Sequence, residues 1–214
     1  MHRFFALLAL IVLVAAATVH DKASAAVAPV MKVGSKGPQV KDLQFRLQTL
    51  GFFHVPLTTT YGTITKGAVK RFQQHHGLSA DGVAGPRTWA KLKKVSVSRN
   101  ELVLMARVIY GEARGEHFKG QVAVGAVIMN RLQSPLFPNT IKEIIMEPNA
   151  FSVIDDGQYL LTPDLTSIKA AKAAVKGMDP TGNALFYYNP KISKSSWFKT
   201  RTATTKIGNH LFTV

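Results

Sequence analysis

Apolar residues fall along the chain in patches whose period predicts helices over most of its length. From Pro38, a residue suited to a first helical turn, Val40, Leu43, Leu47 and Leu50 recur at helical spacing until Gly51. Thr65 is placed to cap a second helix, in which Ala68, Val69, Phe72 and Gln73 precede Gly77 as a stop. Gly85-Pro86 then opens a third, carrying Trp89 and Leu92. The result is a compact three-helix module over residues 34–94. Leu43-Gln44 and Phe72-Gln73 echo one another, a match too short by itself to make a repeat.

The short stretch 95–98 leads into the densest apolar region, 101–131. Ser98 and Glu101 have the Ser-x-x-Glu spacing of a capping box, which sets a helix start at Arg99. Leu102, Met105, Ala106, Ile109 and Ala113 give that helix one buried face, and Gly120 to Leu132 predicts a second, buried helix packed against it. Thr140 with Glu143 predicts another capping box and a short helix to Met146, broken at Glu147-Pro148-Asn149. AFSVIDDGQ reads as a loop, Pro163-Asp164 as the start of a helix that Gly177 stops. The tail changes period: ALFYYNP and KIGNHLF are aromatic-rich and β-favouring, predicting two strands or an extended hairpin. The expected fold is mainly α, with an α+β second domain over residues 99–214.

Composition adds a location. Residues 4–17 form an apolar run behind Arg3, with Ala23-Ser24-Ala25 as a small-residue cleavage site, the pattern of a signal peptide over 1–25. The run is too short for a spanning helix, which needs about 20 apolar residues, so no stable membrane insertion is expected after cleavage. The chain has no cysteine, and its core must hold without disulfides. The net charge is +15, with eleven basic against two acidic residues in 26–95 and fourteen against nine in 96–214. Such a field attracts polyanions. No nucleic-acid motif accompanies it, and for an exported protein the available polyanion is the cell envelope.

Candidate chemistry centres on two carboxylates, Glu112 and Glu116, where the apolar run ends among glycines and arginines. Glu112 sits beside the buried face on the last turn. Loss of water at the edge of a core favours the protonated acid, the form a general acid requires. Gly111 and Gly115 would leave room there for a bulky substrate. Glu116 is expected to support the helix or to pair with Arg107 or Arg114. Spacing alone also fits an ordinary solvated helix face with weak ion pairs. Asp155 or Asp156 could supply the second carboxylate of a glycosidase, although Asp156-Gly157 also reads as a simple turn. Tyr187, Tyr188, Asn189, Trp197 and His210 gather in the tail, where aromatic faces could stack on sugar rings. Alternation leaves open which tyrosine faces a cleft. His117 and His210 lack any His-Glu-x-x-His spacing, so neither a metal nor a cofactor is expected.

Two resemblances sharpen this. GPQVKDLQFRLQTLGF followed by TKGAVKRFQQHHGLSADGVAGPRTWAKL resembles the peptidoglycan-binding module of many wall hydrolases, which implies binding to glycan strands. From Asn100 onward, ARVIYGEARGE, GQVAVGAVIMNR, FPNTI, AFSVIDDGQ, LTPD, FYYNP and IGNHLF resemble, in order, the catalytic domain of SleB-type spore cortex-lytic enzymes. That resemblance implies Glu112 as catalytic acid and Tyr188, Asn189 and His210 as walls of the site. Ser152, in a loop whose polar groups can face a cleft, and Glu116 are further substrate-binding candidates, and the second domain is expected to be lysozyme-like. The resemblance further implies a lytic transglycosylase and favours the spore cortex and germination as its setting; a monomer is expected. A hydrolytic muramidase of vegetative wall, a zinc-dependent peptidase and a non-catalytic wall-binding protein are the competing readings.

Overall fold

The computed structural model describes residues 28–193 and 195–214. The segment read as a signal peptide lies outside the described residues. Among the described residues no helix is long and apolar enough to cross a membrane.

Helices α1 (Pro38–Thr49), α2 (Thr63–His75) and α3 (Pro86–Val95) build the first unit. Their apolar faces meet around Leu43, Leu47, Phe72 and Leu92, all fully buried. Tyr61 joins that core, its hydroxyl donating to the Gly82 carbonyl at 2.8 Å. Thr65 does not cap α2, which starts two residues earlier, after Gly62. Instead its buried hydroxyl accepts from Gln44 Nε2 at 3.0 Å. A buried amide has to find partners, and this demand from inside the core outranks the local capping preference.

Gln44 also donates to the Thr60 carbonyl at 3.1 Å, and its Oε1 accepts from Thr58 N at 2.7 Å. Gln73 repeats the pattern one helix later. Its Nε2 donates to the Val83 carbonyl at 3.0 Å and to Thr88 Oγ1 at 3.1 Å, while Oε1 accepts from Gly82 N at 2.9 Å. Thr60, Gly62 and Thr65 have the same spacing as Val83, Gly85 and Thr88. The echo of two short strings is therefore a duplicated clasp, in which a helix glutamine grips the first turn of the next helix.

The unit is held directly against the second domain. Arg46, buried on α1, donates to the Ser96 carbonyl at 3.1 Å, to Glu101 Oε2 at 3.1 Å and to Asp42 Oδ2 at 3.0 Å. Glu101 is at the same time the acidic half of the expected capping box: its Oε2 accepts from Ser98 N at 2.7 Å while Ser98 Oγ accepts from Glu101 N at 3.3 Å. One carboxylate thus starts helix α4 (Arg99–Ala113) and ties the first domain to it.

In the second domain α4, α5 (Phe118–Gln133) and α8 (Leu165–Val175) pack together, with α5 at the centre and buried almost throughout. Helix α6 (Ile141–Met146) closes one side. Only half of its expected capping box forms, because the Glu143 carboxylate takes the Thr140 hydroxyl at 2.7 Å rather than reaching the backbone. Where a loop was expected, Ser152–Asp155 form a single helical turn, α7, followed by a 3₁₀ turn at Gln158–Leu160. The tail holds β1 (Phe186–Tyr188), the short α9 (Ser196–Lys199), β2 (Ala203–Ile207) and β3 (His210–Thr213). These strands form one antiparallel sheet in the order β1-β3-β2, with Tyr187 opposite Phe212 and Lys206 opposite Leu211. The sheet has three strands rather than the expected two because KIGNHLF is not one strand. It carries the turn of a hairpin at Gly208-Asn209, and β2 extends N-terminally of that string, from Ala203.

Candidate active site

Glu112 lies on the last turn of α4, where donors from two other segments converge on it. Oε1 accepts from Ser152 Oγ at 3.0 Å and from the Val153 backbone N–H at 3.1 Å. Oε2 accepts from the Tyr187 hydroxyl at 3.1 Å. Each carboxylate oxygen has two lone pairs, so Oε1 is fully engaged while Oε2 keeps one position for a transferable proton.

Helix α7 comes this close because residue 111 is a glycine. A Cβ there would lie 2.4 Å from Val153 Cγ1. The space expected to admit substrate is thus filled by the buried Val153, and it is Gly115 that faces open space. Tyr187 is delivered by the end of α5. Asn130 Nδ2 donates to the Ala184 carbonyl at 3.1 Å and Arg131 Nε to the Leu185 carbonyl at 2.8 Å, which pins the chain as it enters β1. The Tyr187 ring packs edge-on against His210, with centroids 5.3 Å apart. Burial, reinforced by the Glu112 carboxylate, pushes the Tyr187 hydroxyl well above its ordinary value, so it remains a donor at any physiological pH.

The other expected site residues divide. Ser152 touches Glu112 directly. Tyr188 follows Tyr187 on the strand and faces the opposite side of the sheet. Asn189 shapes the turn after β1, its Oδ1 accepting from Lys191 N at 3.0 Å. His210 lies behind Tyr187, its side chain 13% exposed and its Nδ1 3.8 Å from Glu116 Oε1. Glu116 pairs with neither Arg107 nor Arg114. Its Oε1 accepts from Asn209 N at 3.2 Å and from Asn209 Nδ2 at 2.9 Å. At the hairpin tip Gly208 has φ +57°, and a Cβ on it would come within 1.7 Å of Glu116 Oε2. Glu116 therefore locks the β2–β3 tip to the α4–α5 junction. Arg114 lies instead over the Tyr110 ring at 5.4 Å.

Asp155 is exposed, and both oxygens of Asp156 are taken by Gln158, from its N–H at 2.9 Å and from Nε2 at 2.7 Å. Asp156 is thus the turn residue that one reading of Asp-Gly expected. Among the described residues no group of three or more His, Asp or Glu is placed to hold a metal ion.

Two residues of this region were not singled out by sequence reasoning. Tyr187 was grouped with its neighbours without being preferred. Arg131 falls inside the predicted Gly120 to Leu132 helix with no role of its own, yet it is 5% exposed, with its guanidinium 5.1 Å from the rings of both Phe137 and Phe151 and 5.5 Å from that of Phe186. A signal existed: position 131 is in helical phase with Val124 and Ile128, both buried, so its side chain had to point inward. Burial pulls the guanidinium below its ordinary value, against the opposing influence of Tyr187 and Glu147. Beside it opens a pocket of about 220 Å³, walled by Phe137, Glu147, Phe186, Tyr187 and Trp197. A larger cavity of about 500 Å³ lies away from Glu112, on the first domain beside Gln73 and Thr88.

Residues 36–92 match the family described as putative peptidoglycan binding domain, and residues 115–213 match the one described as Cell Wall Hydrolase. The second match begins just beyond Glu112. A spore cortex-lytic enzyme of Bacillus cereus is 38% identical over 221 residues, covering 86% of this chain and 85% of the relative. The crystal structure of the catalytic domain of the Bacillus cereus SleB protein is 51% identical and covers 56% of this chain and 93% of its own, with a TM-score of 0.54. The catalytic domain of the germination-specific lytic transglycosylase SleB from Bacillus anthracis gives the same identity and TM-score over 55% of this chain and 97% of its own. Two matched domains, and a relative aligned over most of both lengths, lead to one assignment: the chain belongs to the family of SleB-type spore cortex-lytic enzymes.

Proposed function

We propose that this protein is a peptidoglycan-cleaving enzyme that opens the β-1,4 bond between N-acetylmuramic acid and N-acetylglucosamine in the spore cortex during germination, as a lytic transglycosylase. The observation that carries the chemistry is the convergence of three donors on Glu112, with one lone pair of Oε2 left over. The relatives' names, spore cortex-lytic enzyme and germination-specific lytic transglycosylase, support the substrate and the outcome.

In this mechanism Glu112 delivers its proton from Oε2 to the bridging oxygen. As the carboxylate becomes negative, Ser152 Oγ, Val153 N and Tyr187 Oη already point at it. Donors fixed in advance stabilise developing charge without reorganisation, which is the largest single effect in many active sites. The sugar carbon left behind is cationic. The muramic C6 hydroxyl attacks it, the ionised Glu112 takes up that hydroxyl's proton, and a 1,6-anhydro sugar forms without water. One carboxylate suffices for both proton transfers. The engagement of Asp156 with Gln158 fits this single-acid route.

The first domain, on this reading, grips the glycan while the second cuts. A glutamate at the end of a core helix facing a small antiparallel sheet agrees with a lysozyme-like second domain. An exported monomer with cleavage after Ala25 completes the picture, the sites being Glu112 for proton transfer, Ser152 and Tyr187 for its orientation, and Glu116 for the framework.

The test is mass spectrometry of the soluble fragments released from purified cortex and from vegetative sacculi by the parent protein and by Glu112→Gln. Anhydro-muramic ends from the parent alone support the proposal, and the two substrates rank the walls. Reducing ends would overturn the transglycosylase and return attention to Asp155. Equal release by the Gln variant would remove Glu112 from the chemistry.

A further inference from the structure

Arg131 presents a chemical surplus. A guanidinium carries five N–H groups, and only Nε is used, on the Leu185 carbonyl. Among the described residues the four N–H groups of Nη1 and Nη2 make no hydrogen bond, although the residue is 5% exposed. They are not sealed in the core either, since Arg131 lines the pocket next to Tyr187. A buried cation with idle donors facing a pocket is a costly arrangement unless an acceptor arrives. The walls are aromatic: Phe137, Phe186 and Trp197, the last 45% exposed at the rim.

We infer that this pocket is a subsite for the 2-acetamido group of a wall sugar, with the Arg131 Nη donors on the acetyl carbonyl oxygen and the aromatic walls around the methyl group and ring face. This deepens, and rests on, the reading of the protein as a glycan-cleaving enzyme. The size agrees, since about 220 Å³ is below the roughly 300–1,000 Å³ of sites that enclose larger ligands. One sugar substituent fits, and a length of strand does not. Glu147 lines the same pocket as Arg131. The Arg201 guanidinium lies over the Phe186 and Trp197 rings at 4.5 and 4.1 Å, so the cation at the rim is stacked on aromatic faces while the Arg131 Nη donors stay open to a carbonyl oxygen. Tyr187 connects the subsite to the chemistry: its ring is a wall of the pocket and its hydroxyl holds Glu112. A sugar seated by its acetamido group is therefore registered against the acid one side chain away.

Two tryptophans, Trp89 and Trp197, make the test direct. Trp197 is at the pocket rim, while Trp89 is buried in the first domain with its indole N–H on the Pro29 carbonyl. Their indole ¹⁵N–H signals are followed in the full chain carrying Glu112→Gln, with Trp197→Phe to assign them. Chitotetraose, a β-1,4 chain with acetamido groups, should move the Trp197 signal, and cellotetraose, the same kind of chain with hydroxyls, should not. Arg131→Met should weaken the chitotetraose effect by roughly ten- to a hundredfold, the scale of a lost hydrogen bond to a charged group. Equal shifts from both sugars, or none from chitotetraose, would overturn the subsite. Because that comparison uses intact Arg131, it stands even if Arg131→Met folds poorly. Glu112-dependent cleavage without a chitotetraose response would sink the subsite alone. Cleavage that persists in Glu112→Gln would sink the parent reading.

Discussion

Gly111→Ala sets two effects of opposite sign against each other. Alanine in the body of a helix is favoured over glycine by about 1 kcal/mol, so on α4 alone the substitution should stabilise. The added methyl, however, would stand 2.4 Å from Val153 Cγ1 and 2.9 Å from Val153 Cβ, where ordinary contact begins near 3.4 Å. Helix α7 has to retreat by about 1 Å, and overpacking of this kind costs about 1–3 kcal/mol. The net loss of stability is thus between nothing and about 2 kcal/mol. The functional consequence is larger. A retreat of about 1 Å takes Val153 N, now 3.1 Å from Glu112 Oε1, beyond hydrogen-bond range, and Ser152 moves with it. Misplacement on that scale costs about a hundredfold in rate. The assay is release of soluble fragments from cortex, beside a denaturant melt. Val153→Ala removes the closer contact and leaves the 2.9 Å one, so the double variant should regain most of the activity lost by Gly111→Ala while being less stable than the parent. A Gly111→Ala protein that melts higher and cuts as fast as the parent would refute the claim that this glycine sets the position of α7.

Other expectations follow from the same contacts. Tyr187→Phe removes one donor to Glu112 and should lower kcat by about tenfold or more with little effect on KM, measured on soluble muropeptide chains. Gly208→Ala combines a left-handed backbone with collision against Glu116 Oε2, and should cost about 3 kcal/mol or more in a denaturant melt; Gly115→Ala, facing open space, should be tolerated. Burial would raise the Asp179 carboxyl, but hydrogen bonds from Thr181, Asn130 and Asn183 outweigh it and hold the group below its ordinary value. A depressed carboxylate contributes stability that is complete above its unfolded value near 3.8 and is lost as pH falls through the lower folded value. Asp179→Asn should therefore destabilise the protein at pH 7 and narrow its difference from the parent in acid melts, whereas a constant difference across pH would contradict the assignment.

What could be read from the sequence was what is decided locally. Ser98 and Glu101 start α4 through contacts three residues apart, and Pro38 and Pro86 start α1 and α3 through their own ring geometry. Nonlocal demands were hidden. Thr65 was a good cap by type, but Gln44 needed its hydroxyl more, from 21 residues away. The duplicated clasp escaped notice because the second glutamine-to-threonine interval is 15 residues, so the halves do not align without a gap. In the tail, alternation says that Tyr187 and Tyr188 face opposite sides, but only the pairing of β1 with β3 determines which side is Glu112's. Gly111 had a legible type but not a legible neighbour, since Val153 is 42 positions on.

The separations in sequence also set an order of assembly. Each glutamine clasp closes a loop of 15–21 residues, whereas Tyr187 reaches Glu112 over 75 residues and Asn209 reaches Glu116 over 93. Short loops close early and at little entropic cost, and distant pairings come late. As the chain is made from its N-terminal end, the first domain can complete both clasps before β1 exists. The carboxylate at position 112 then waits, without its tyrosine and without a locked hairpin tip, until residues 209–213 have been synthesised and paired. A partly made or truncated chain would therefore hold the wall's ligand while lacking a finished blade.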